Sequence, residues 1–173
     1  TIVTASADQT MKKIKIINQY KDYFVQFTFT GYQSFIFKAI ELSYNHKIIS
    51  CSWDEVLYLW ELEDNLSSVG DIDENYINTL QFNKGEKVVD ILEFNKDIFV
   101  SVSDRFVKFS NTSNMKEIHK IENIKGNSSY NSLCKLNDES LIVMYYHEIQ
   151  IINIAKNFEI IDNIELGLGM LSS

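Results

Sequence analysis

The chain of 173 residues contains no proline, only six glycines and two cysteines, and Arg105 is its single arginine. Loops therefore lack their usual punctuation and must be read from clusters of Asn, Asp, Ser and Lys. Cys51 and Cys134 lie apart in apolar strand patterns, which excludes a disulfide framework or a zinc site and points to a reducing, intracellular and cytoplasmic setting. One arginine cannot build paired guanidinium clamps for phosphate or carboxylate. With 24 acidic against 16 basic residues the net charge is −8, and no basic stripe exists to neutralise a nucleic acid backbone. No apolar run approaches the roughly 18 residues of a membrane span, and the first residues enter a strand pattern without a leader-like stretch. Helical periodicity of useful length is missing too.

Motifs for chemistry are equally scarce. His46, His119 and His147 stand apart from one another and from other ligand types, and there is no His-x-Glu, Cys-x-x-Cys, Gly-x-Ser-x-Gly or phosphate loop. The acidic clusters at residues 61–64 and 71–74 lack the glycine-bearing loop that calcium requires. No catalytic set, metal or cofactor is expected.

What the chain does have is one phrase repeated. A hydrophobic strand runs into Ser, any residue and Asp, then a short turn and a second hydrophobic strand. The clearest copy carries Ser50, Ser52, Trp53, Asp54 and Trp60; weaker copies centre on Asp8 and Asp104, and a fourth keeps its strands but has Tyr146 in place of the Asp. Aligned on Asp8, Asp54, Asp104 and Tyr146, the copies lie 46, 50 and 42 residues apart. Short strands at a period in the forties predict an all-β fold, a β-propeller of four-stranded antiparallel blades. The strand series divides into a partial blade over residues 1–30 and blades over 35–82, 87–124 and 130–164, one propeller segment spanning 1–173. The opening blade lacks its first strand, so the segment belongs to a ring of about six to eight blades. In the alternative, residues 167–171 supply that strand and close a four-bladed ring, although two glycines weaken them as a strand.

These residues resemble a WD-repeat β-propeller along essentially the whole chain. In that family the turn Asp, a Ser or Thr of the preceding strand and the Trp of the next form a buried hydrogen-bonded set with a His. The resemblance implies that Asp54, Trp60 and Ser50 or Ser52 are structural in one blade. Asp8 and Asp104 match without the Trp, Ile14 and Ser110 standing at its position, and the family's Gly-His is not found at its place in any blade. Physical chemistry independently supports the assignment, since a turn Asp accepts amide hydrogen bonds and a buried indole needs an acceptor.

The residue before the turn Asp is expected on one rim of the propeller: Ala7, Trp53, Ser103 and Tyr145. Tyr32, Phe35 and Tyr130, in the connections between blades, are expected on the same rim. A tryptophan beside a solvated turn is a typical interface anchor. The expected function is a scaffold that binds other proteins, including those of large complexes, through this rim. The alternative is a propeller enzyme or small-molecule binder using the central channel.

Overall fold

A computed structural model describes residues 1–17, 22–61, 70–72, 77–81, 87–122, 132–145 and 148–166, with backbone alone for 70–72 and 77–81. Among them the chain is all-β, with sixteen strands in four sheets and no helix. The first sheet holds β1 (Ile2–Ala5), β2 (Met11–Ile17) and β3 (Asp22–Phe29). The second holds β4 (Ile36–Glu41), β5 (Ile48–Ser52), β6 (Val56–Trp60) and β8 (Ile77–Gln81). The third is β9 (Val88–Glu93), β10 (Ile98–Ser103), β11 (Phe106–Asn111) and β12 (Glu117–Glu122). The fourth is β13 (Ser132–Lys135), β14 (Ser140–Met144), β15 (Glu148–Asn153) and β16 (Glu159–Glu165). Within the second to fourth sheets, neighbouring strands are antiparallel and follow chain order.

One pairing departs from the all-antiparallel expectation. The connection between β6 and β8 contains β7 (Gly70–Ile72), which joins the edge of β3 in parallel. Phe27, Thr28 and Phe29 pair with Gly70, Asp71 and Ile72. Backbone groups on an edge strand demand partners whatever the side chains are, so a polar linker of extended backbone can satisfy them. The neighbouring acidic residues at 62–69 and 73–76 and the tail at 167–171 lie outside the described residues.

Strict alternation of side chains explains how the sheets stack. Ile48, Ser50, Tyr58 and Trp60 project from the second sheet towards the first, where they meet Met11, Phe27 and Phe29. Ile49, Cys51, Leu57 and Leu59 project the other way, onto Val88, Ile91 and Phe99 of the third sheet. A further cluster joins Val100, Val102 and Phe109 to Leu133, Leu141 and Val143 between the third and fourth sheets. Inner strands are thus buried on both faces, which is why they read as continuous apolar runs. β4 packs against β1 and β9, and β9 packs against β13.

Turn length decides which residue reaches the sheet end. Five residues separate the paired Ala5 and Met11, and five separate Cys51 and Leu57; only four separate Val102 from Val107 and Met144 from Ile149. In the longer turns Gln9 and Glu55 adopt φ of 67° and 68°. His46, Met115, Asn157 and Phe158 also have positive φ, so the shortage of glycine is met by residues that pay a steric penalty there.

The two thiols differ sharply. Cys51 is buried and Cys134 exposed, and both are free. Burial pushes the Cys51 thiol up to about 12. A thiolate is the reactive form, so near pH 8 the native protein should react with a thiol reagent at Cys134 alone, and the second equivalent should appear only on denaturation. Equal rates at both cysteines would contradict this packing.

Candidate functional site

Two adjacent constellations are built around the β5–β6 hairpin, one internal and one on the surface. In the internal one, the Trp60 indole N–H donates to Ser50 Oγ at 3.1 Å, and the Tyr32 hydroxyl shares a 2.6 Å hydrogen bond with the same oxygen. Trp60 is fully buried, edge-on to Phe29 at 5.0 Å, with Tyr32 and Tyr58 rings at 5.5 and 6.1 Å. Asp54 organises the turn: Oδ1 accepts the Val56 amide at 3.2 Å, and Oδ2 accepts the Gln33 amide at 3.0 Å and the Tyr58 hydroxyl at 2.7 Å. Ser52 Oγ donates to the Ser34 carbonyl and receives the Asp54 amide. Burial holds both tyrosine hydroxyls well above the ordinary phenol range, aided at Tyr58 by the bond to Asp54 and its charge. These groups are satisfied and enclosed, an arrangement that rigidifies and leaves no free nucleophile.

The surface constellation begins one residue later. Trp53 follows Ser52, so alternation carries its ring to the side facing the third sheet. Its amide donates to the Phe35 carbonyl at 2.8 Å. The ring lies 5.9 Å from Phe35 and 5.7 Å from Phe37, and Lys87 Nζ stands over it at 4.3 Å. Trp53 is 41% exposed and both phenylalanines 45%. Phe37 is thrown outward at a bulge, where the pairing of β4 with β5 shifts between Ile36 and Lys38.

Several expected positions need correction. Tyr32 is not on the rim: it is 4% exposed, because the positive φ of Gly31 turns the chain so that its ring drops between the first two sheets. Tyr145 is 5% exposed and packs with Leu133 and Leu141. The short turn after β14 makes it the counterpart of Ser52 rather than of Trp53, and Ser103, also buried, is shifted in the same way. For the same reason Asp104 does not accept the turn amides; Ser103 Oγ takes those of Arg105 and Phe106 at 3.3 and 3.0 Å. Asp8 does act as a turn acceptor, receiving the Thr10 amide and hydroxyl at 2.9 and 2.7 Å, bonds that lower its carboxyl below the usual range. Tyr130 and His147 lie outside the described residues.

Three contributors were missed. Phe37 stands two residues from the expected Phe35, but its outward placement depends on the bulge, which the sequence does not mark. Asp90 was legible as a lone charge in an apolar strand, a pattern that implies a buried partner. Its Oδ1 accepts Lys38 Nζ and its Oδ2 the Leu133 amide at 2.7 Å and the Ser132 hydroxyl at 3.1 Å, joining β4, β9 and β13. Nothing in the sequence marks Lys87, which reaches Trp53 only through the packing of two sheets.

Among the described residues no three His, Cys, Asp or Glu side chains converge as a metal site, and no helix is long and apolar enough to cross a membrane. In comparisons with known proteins, no family model and no curated protein matches the chain.

Proposed function

We propose that the chain is a segment of a WD-repeat-like β-propeller, within a ring of about six to eight blades, and serves as an intracellular, non-catalytic scaffold that holds other proteins through its Trp53-bearing rim. The observation that carries this reading is the contiguous patch of Trp53, Phe35 and Phe37. All three rings are exposed at one end of the second sheet, with Trp53 against both phenylalanines. Clustered exposed aromatics, unlike scattered ones, mark interaction surfaces.

The internal set supports the propeller reading. Gly31 and Tyr32 lead into β4 where the resemblance calls for Gly-His, and the Tyr32 hydroxyl reaches Ser50 beside Trp60 while Asp54 holds the next amide. A tyrosine in that role accounts for the missing histidine. The free, exposed Cys134 suits a reducing compartment.

Trp53→Ala should change stability by no more than about 1 kcal/mol, since its ring is largely supported from one side. It should weaken partner binding by about 2 kcal/mol or more. Thermal melting and quantitative recovery of partner proteins from the source cells, on the same variant, check both halves. A variant that melts far below the parent, or one that recovers partners as well as the parent does, would refute the rim assignment.

A further inference from the structure

The outermost strand of the fourth sheet is the barest in the molecule. β16 pairs with β15 on one side and, among the described residues, with no strand on the other. Of the strands whose side chains are described, it alone is exposed at every residue. Ile160, Ile161 and Ile164 are 41, 47 and 44% exposed. An edge strand offers backbone donors and acceptors to a further strand, and apolar side chains beside them add surface for that strand to cover.

The chain itself shows how an outer edge is filled. β3, the outer strand of the first sheet's hairpins, takes Gly70, Asp71 and Ile72 from a distant connection as one more strand. That sheet carries Lys12, Lys13 and Lys15 on β2, and the segment it takes is acidic. The register sets Asp71 beside Thr28, and Thr28 beside Lys12. β16 has the opposite character: it carries Glu159, Asp162 and Glu165 and no basic residue. Like charges therefore oppose its pairing with β16 of a second copy, while a basic strand is attracted.

We propose that the β16 edge binds an extended segment of a partner protein, with lysine or arginine alternating with apolar residues, by adding it as a further strand of the fourth sheet. Its basic side chains lie beside the carboxylates, and its apolar ones cover the exposed isoleucines. This surface is on a different sheet from Trp53 and holds whether or not the Trp53 patch binds proteins.

A short fluorescent peptide alternating lysine with valine, added to the full chain, tests this by anisotropy and hydrogen exchange. Bound peptide should protect alternate amides of Glu159–Glu165. N-methylation of the peptide should abolish binding at alternate positions and be tolerated at those between, because only every second amide of an added strand faces the sheet edge. The Glu159→Gln, Asp162→Asn double variant should bind about fivefold more weakly, two exposed charge pairs being lost. Raising salt should weaken binding to the parent, and a peptide with glutamate in place of lysine should not bind. Melting curves of the variant show that the fold is kept. Binding that leaves β16 unprotected, or that tolerates N-methylation at every position, would overturn strand addition. Equal binding of the glutamate peptide would overturn the basic preference, and no binding of the lysine peptide would overturn the site itself. Protection of β16 that rises with protein concentration in the absence of peptide would assign the edge to a second copy instead.

Discussion

Trp60→Ala is expected to lower unfolding free energy by about 3–5 kcal/mol. The ring is completely buried between the first two sheets, and its removal opens a cavity bordered by Phe29, Tyr32 and Tyr58. It also deletes the donor to Ser50 Oγ. Trp60→Phe separates these terms: most of the volume stays while the hydrogen bond is lost, so the cost should fall to about 1–2 kcal/mol. Denaturant unfolding of the two variants measures the difference. Equal loss in both would assign the effect to the hydrogen bond rather than to packing, and no loss in either would remove Trp60 from the core.

Asp90→Ala should cost about 2–4 kcal/mol, more than an ordinary surface charge, because Asp90 is the junction of three sheets. Its carboxylate is buried, and its removal strands the Leu133 amide and the Ser132 hydroxyl on one side and the Lys38 ammonium on the other. Lys38 remains partly exposed and can turn to solvent, so most of the loss arises at β13. Asp90→Asn keeps an acceptor for the Leu133 amide and should cost about half as much. Hydrogen exchange at Leu133 localises the effect. If that amide stays protected in Asp90→Ala while stability is unchanged, the junction is not structural.

Asp54 and Asp104 show how far a motif extends. Both are turn acids in the repeated phrase, but one fewer residue in the second turn moves the acceptor role to Ser103 and leaves Asp104 without a donor. The same one-residue difference sends Trp53 to the surface and Tyr145 to the core. A slip of one residue exchanges the faces of a strand, and turn length is set by backbone pairing that sequence spacing alone does not reveal.

Alternation and apolar runs by themselves determined the strand positions, the doubly buried character of β5, β6, β10 and β11, and the need of Trp60 for an acceptor nearby, Ser50 or Ser52, between which the structure chose Ser50. Those are local properties, governed by a period of two along each strand and by the need of a buried indole for an acceptor. Only the tertiary structure decided where β7 pairs, that Tyr32 fills the gap beside Trp60, that Asp90 ties β4 to β13, and that Lys87 covers Trp53. Each of these joins residues far apart along the chain, and such contacts depend on how strands and sheets come together in space, a long-range matter on which the local pattern of any one strand is silent.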